Sequence, residues 1–140
     1  MKLFLKKGST SVITHVFIQD SSVTTGEGKT ALAYGDIAAY YVRPGGALTS
    51  LTLEDITTLG TWASTGNNYL GFKKLHDTNA PGIYELHLPN NILATGANAV
   101  VIQLRATGAV PCNIEIQLND NAIGELTSDY DAAKTTRWRR

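Results

Sequence analysis

Gly26-Glu27-Gly28-Lys29-Thr30 carries the Gly-Lys-Thr that closes a phosphate-binding loop, in which backbone N–H groups cradle a polyphosphate and the lysine reaches its outer oxygens. That chemistry needs another glycine five positions before Gly28, and Val23 stands there. Gly35 and Asp36 also interrupt any helix that would have to follow, so the segment is expected to be a surface loop. His15, His76 and His87 could ligate zinc only by converging, since a site needs at least three ligands. Each stands on a different segment with no Cys-x-x-Cys or His-x-His beside it, and they are expected to be satisfied surface or boundary residues with no metal or other cofactor. A Ser/His/Asp hydrolase would need its nucleophile on a sharp turn, and no Gly-x-Ser-x-Gly elbow occurs. Glu54-Asp55, the one adjacent acidic pair, follows a strand end and reads as a solvated terminus. No enzymatic reaction is expected.

Two sets of residues suit binding better than catalysis. Trp62, Tyr69 and Phe72 cluster around the loop Ser64–Asn68, and exposed rings beside Asn67 and Asn68 would make a sugar-stacking face. Trp62 and Tyr69 are therefore the candidate residues of a carbohydrate-binding module. Aromatic residues at this density also serve as core or interface anchors. The second set is Thr135-Thr136-Arg137-Trp138-Arg139-Arg140. Beyond a frayed terminus, it reads as an arm in which Trp138 fills an apolar pocket on a neighbour while Arg137, Arg139 and Arg140 pair with acidic groups.

Strands must hold these residues. Tyr84, Leu86 and Leu88 alternate with Glu85 and His87; Val100, Ile102 and Leu104 with Val101, Gln103 and Arg105; Cys112, Ile114, Ile116 and Leu118 with Asn113, Glu115 and Gln117. A strand turns successive side chains to opposite faces, so each segment can cover a core with one side and meet water with the other. Val12 to Ile18 is β-branched on both faces, as in a strand covered on both sides. Asp36 to Arg43, the turn Pro44-Gly45-Gly46 and Leu48 to Leu53 form a β-hairpin. Phe72 to Leu75 is a short strand, Asp77 to Gly82 a loop, Pro89 to Gly96 a helical turn closed by glycine, and Gly108 to Pro111 the last hairpin loop. Seven or eight short strands with almost no helix indicate an all-β chain: an immunoglobulin-like β-sandwich over residues 1–118, followed by a C-terminal arm over 119–140, extended or a short helix.

Composition narrows the function class. With 140 residues the chain fits one domain. Twelve basic residues balance twelve acidic ones, which argues against a general nucleic-acid or anionic-membrane binder. The basic residues gather at the ends, as Lys2, Lys6 and Lys7 and as Lys134, Arg137, Arg139 and Arg140. The single cysteine, Cys112, has no partner for a disulfide within the chain and is expected to be a small buried hydrophobe. No apolar run approaches the roughly 18–20 residues of a membrane span. Met1 to Lys7 has too short an apolar stretch for a secretory signal, so cytoplasmic synthesis without general export is expected.

The run Gly82-Ile83-Tyr84-Glu85-Leu86-His87-Leu88-Pro89, followed by Leu93-Ala94-Thr95-Gly96, Val100 to Leu104 and Ile114 to Leu118, resembles small immunoglobulin-like domains of tailed-phage virions. Tyr40 to Gly46 with Leu51 to Leu53 resembles the matching hairpin, and Ser21 to Gly26 the matching loop. The resemblance covers roughly residues 10–118. It implies attachment to a particle by protein–protein contact and no catalytic residues. Members often continue into further modules where this sequence has only a short arm, which favours a tail or baseplate adaptor, a fibre base or a capsid-decoration subunit over a receptor binder. The expectation is a non-enzymatic structural subunit of the virion, assembled in the host cytoplasm, touching other virion proteins and further copies of itself through Arg137, Trp138, Arg139 and Arg140. The turn at Pro44 and Gly45 and the loop Ser21–Lys29 are secondary contacts.

Overall fold

The computed structural model describes residues 1–121. Among them are eight strands, β1 (Lys2–Lys6), β2 (Ile13–Phe17), β3 (Ala38–Val42), β4 (Thr49–Asp55), β5 (Tyr69–His76), β6 (Ala80–His87), β7 (Ala99–Arg105) and β8 (Cys112–Asn119), and two short 3-10 turns, Tyr34–Asp36 and Asn90–Leu93. The all-β class is as the alternation predicts.

The strands form one mixed sheet in the order β1-β8-β7-β3-β4-β5-β6-β2. Strand β4 joins its two halves. Its first residues pair antiparallel with β3, as Leu51 does with Ala39, and its later ones pair parallel with β5, as Leu53 does with Leu70. The sheet curls so that one face of both halves meets in a single core: Leu70, Phe72, Tyr84 and Leu86 from one half, Val100, Ile102, Ile114 and Ile116 from the other. Phe72 and Tyr84 stack there with ring centroids 4.8 Å apart, an arrangement worth about 0.5–1.5 kcal/mol beyond burial.

The β3–β4 hairpin forms as expected. Arg43 C=O accepts from Gly46 N–H at 2.8 Å and Gly45 has φ +83°, a type II turn with proline at its second position and glycine where φ must be positive.

Several elements depart from the sequence reading. Lys2–Lys6, to which the sequence reading assigned no element, is a strand lying parallel to β8 with Leu3 and Leu5 against the core. Strand β2 is covered on one face only: Val16 is buried, while His15 and Phe17 are exposed at the sheet edge. The segment expected as a loop at Asp77–Gly82 is a turn only through Asn79, and β6 begins at Ala80, because β5 and β6 form a tight hairpin with an irregularity between Lys74 and His76. Asp77 closes its turn by accepting from Ala31 N–H and from Lys74 Nζ. The helical turn after Pro89 is a 3-10 turn ending at Leu93, and Gly96 lies beyond it. Strand β8 runs through Asn119, one residue past the expected domain end.

Gly28 and Gly82 touch back to back. A Cβ on Gly28 would meet the Pro81 carbonyl oxygen at 2.4 Å, and one on Gly82 would meet Gly28 Cα at 2.5 Å. The glycine of the Gly-Lys-Thr triplet is therefore accounted for by backbone packing. Its neighbour Lys29 pairs loosely with Asp20, 4.0 Å away.

Candidate functional site

The two halves of the sheet treat their outer faces differently. On β5 and β6 the chain covers part of its own outer face. Gly71, paired in register with His87, has no room for a side chain, since a Cβ there would meet His87 Cβ at 2.8 Å. The segment following β4 lies over this spot and contributes the buried Ile56. Glu85 and His87, expected to meet water, are instead only 3% and 1% exposed.

Their burial is matched by hydrogen bonds. Glu85 Oε2 accepts from Gly60 N–H at 2.8 Å and from His87 Nε2 at 2.8 Å, and Oε1 accepts from His15 Nε2 at 3.2 Å. His87 Nδ1 in turn accepts from Ala63 N–H at 3.4 Å, which selects the Nε2–H tautomer. Burial pushes the Glu85 carboxyl up, but the Gly60 N–H, His87 and His15 together outweigh it and hold the group below its ordinary value. Two histidines that stand on separate segments thus share one carboxylate across the β2–β6 register, His15 facing Glu85. His76 remains apart, its Nδ1 accepting from Thr78 and Asn79 N–H in the hairpin turn. Among the described residues, no three His, Cys, Asp or Glu side chains are placed to hold a metal.

Beside this cluster lies a cleft of about 360 Å³ whose lining includes Glu54, Asp55, Thr58, Thr61, Ser64 and His87. Glu54 is engaged from within, by the Thr65 N–H at 3.1 Å and by the Thr65 hydroxyl. Trp62 and Tyr69 are both half-buried and neither lines the cleft. The Trp62 indole N–H donates to Leu88 C=O at 3.1 Å, so that ring acts as a strut between the covering segment and the end of β6.

Among the described residues, nothing covers the outer face of the other half of the sheet. Strand register sets the side chains in rows. Val42 faces Val101, which faces Glu115, which faces Lys2. Tyr40 faces Gln103, which faces Asn113, and Ala38 faces Arg105. Leu48 precedes β4 at the end of the first row and is 68% exposed; Tyr40 and Val101 are 40% and 41% exposed. A groove of about 710 Å³ runs among Tyr40, Val42, Leu48, Val101, Gln103 and Asn113, with Arg105 and Glu115 at its ends. Gln103 Nε2 donates to Asn113 Oδ1 at 2.9 Å in the middle of the face. The side chains of Arg105 and Glu115 make no hydrogen bond or ion pair among the described residues.

Pro44 and Gly45 are exposed at the tip of the hairpin whose outward side chains Tyr40 and Val42 belong to this face. The turn is fixed from behind by Arg43, whose guanidinium donates to the carbonyls of Asn91, Ala94 and Thr95 at 3.3, 2.5 and 3.1 Å. The Ser21–Lys29 loop is tied down by bridges from Gln19 to Gly28 and from Asp20 to Ala109. Cys112 is half-buried against the core, and burial raises its thiol pKa, which disfavours the nucleophilic thiolate. Arg137, Trp138, Arg139 and Arg140 lie outside the described residues, as does most of the expected arm.

Sequence reasoning left the open face unassigned because its members are spread over four strands and the β3–β4 connection. The alternation of Val101, Gln103 and Arg105 announces an outward face, but nothing in the sequence says whether another segment covers it. Comparison of the chain with protein-family models, with curated proteins and with solved structures returned no match.

Proposed function

We propose that this chain is a non-enzymatic structural subunit of a tailed-phage virion, an immunoglobulin-like β-sandwich that acts by binding neighbouring proteins. The observation carrying this reading is the open face of β1-β8-β7-β3-β4. Residues 56–63 cover the outer side of β5 and β6 around Gly71, Glu85 and His87, whereas the described residues leave Tyr40, Leu48 and Val101 in water, as expected of a surface that a protein partner buries. The sandwich assignment is supported by strand order. The sets β2-β6-β5 and β3-β7-β8 correspond to the B-E-D and C-F-G sets of an immunoglobulin domain, with β4 passing between them. The virion assignment rests on the sequence resemblance. It gives the subunit a place as tail or baseplate adaptor, fibre base or capsid decoration, with Arg137, Trp138, Arg139 and Arg140 as additional contacts and Pro44 and Gly45 as a secondary one.

The test is incorporation. A tagged chain produced during a phage infection or prophage induction should appear in particles purified by density gradient, and Val101→Lys should reduce its amount several-fold while leaving the soluble chain folded. A chain absent from every particle fraction overturns the reading. Deleting residues 135–140 tests the arm separately, and undiminished incorporation would remove the arm from the mechanism.

A second reading is favoured by the cleft beside His87, whose hydroxyls and carboxylates could accept and donate to the hydroxyls of one sugar ring. In that reading the chain is a carbohydrate-binding module. Trp62→Ala is a poor test because it also frees the Leu88 carbonyl, so Asp55→Asn is the better variant. Glycan-array binding that Asp55→Asn abolishes would favour it, and a blank array would dismiss it.

A further inference from the structure

We propose that the partner of the open face is a second copy of this chain, packed face to face about a two-fold axis that passes over the Gln103–Asn113 pair. The inference rests on the reading of the protein as a contact-making subunit and names what that surface contacts.

The argument is one of self-complementarity. An isologous interface uses the same patch twice, so the charges flanking its centre must find their opposites within that patch. Among the described residues, Arg105 beside Ala38 and Glu115 beside Val101 flank the apolar centre of the open face, and Lys2, in register with Glu115, lies beyond it at the β1 edge with its ammonium over the Phe4 ring. Arg105 lies one paired row to one side of Gln103, and Glu115 lies one row to the opposite side of Asn113. At ordinary strand spacing and rise, the two positions are about 14 Å apart with the Gln103–Asn113 pair at the midpoint. A two-fold axis lying in the interface plane and crossing that midpoint at right angles to the Arg105–Glu115 line sets Arg105 of each copy over Glu115 of the other. The same operation brings Val101 over the Ala38–Tyr40 edge of the second copy and Leu48 near its own counterpart. Apolar groups then meet apolar groups, and both charges gain a partner. Neither charge is engaged within the described chain, and the long side chain of Leu48, exposed at the rim, gains cover.

Other positions on the molecule carry less. The Glu85 cluster is satisfied by its own chain, and the cleft beside it shows no unpartnered buried group to specify a ligand.

The experiment uses the full chain in sedimentation velocity across roughly 1 µM to 1 mM, the range in which an interface of modest size associates. The wild-type chain should pass from monomer to dimer. Arg105→Glu places two like charges at each contact, as does Glu115→Arg, and each should weaken the dimer by about tenfold or more. An equimolar mixture of the two variants should regain it, because every Arg105→Glu contact then meets an arginine and every Glu115→Arg contact meets a glutamate. Circular dichroism should stay unchanged for both, since both positions are exposed on strands, and so should the unfolding midpoint of Arg105→Glu, while Glu115→Arg lowers its midpoint slightly by facing Lys2. A chain monomeric throughout, single variants that dimerise like the wild type, or a mixture that stays monomeric would each overturn the proposal. Failure here leaves the incorporation test standing, whereas a chain that dimerises yet never enters particles defeats the virion reading and leaves the dimer face intact.

Discussion

Glu85 shows how a single side chain can invert its expected role. Alternation along β6 assigns it to water, yet it is buried and collects the Gly60 N–H, the buried His87 and the exposed His15. A carboxylate so held has its folded pKa below the ordinary 4.5. Between those two values the unfolded chain binds more protons than the folded one, so stability rises with pH there. The contribution is complete above the unfolded value and is lost as pH falls through the folded one. Urea unfolding followed from neutral pH to about pH 3 should therefore show a steeper acid-side decline in the wild type than in Glu85→Gln. At neutral pH the variant should be less stable by about 1–3 kcal/mol, the cost of weakening a buried charge-assisted network. Equal pH slopes in the two proteins would show that the carboxylate is not held in the geometry described. No residue-level signal identified this site beforehand, because His15 and Glu85 are separated by 70 positions and meet only through strand register.

At the scale of elements, the loop containing Gly28 is held by close backbone packing. Leu32 N–H donates to the Tyr84 hydroxyl, which itself donates to Lys29 C=O at 2.5 Å, and Gly28 presses on Pro81 and Gly82. Gly28→Ala should therefore cost about 2–3 kcal/mol, because the added methyl meets backbone that has little freedom to move. Gly26→Ala faces open space at φ +79° and should cost only the left-handed strain of about 1–2 kcal/mol. Chemical denaturation of the two variants checks the order, and Gly26→Ala proving the worse would contradict the packing account. Added polyphosphate should leave the thermal midpoint of the wild-type chain unchanged, as expected if Gly28 serves packing. The elements most legible in the sequence were β7, β8 and the β3–β4 hairpin, where alternation and Pro44-Gly45-Gly46 agree. The β5–β6 hairpin was less so. Pro81 and Gly82 are turn signals in isolation, yet Pro81 is exposed and Gly82 adopts φ +82° where it meets Gly28, so both sit within a strand.

Considered whole, the described residues bring the first strand against the last. Strand β1 adds to β8 with Lys2 beside Glu115, and Met1 C=O accepts from Glu115 N–H. Removing residues 1–6 withdraws Leu3 and Leu5 from the core and bares the edge of β8. The truncated chain should lose about 2–4 kcal/mol in urea unfolding and aggregate more readily on warming. Pairing so distant in sequence also makes folding slow, and refolding of the full chain should take milliseconds to seconds in stopped-flow fluorescence of its tryptophans. The sequence alone determined the all-β class, the inward sides of the central strands and the main hairpin, because a two-residue alternation and a proline–glycine turn are local properties of the chain. Tertiary structure alone decided that β1 is a strand, that Glu85 and His87 are buried, and that the described residues leave the outer face of β3, β7 and β8 open. Those outcomes depend on which segment comes to lie over which face, and strand alternation distinguishes the two sides of a strand without saying what will cover either one.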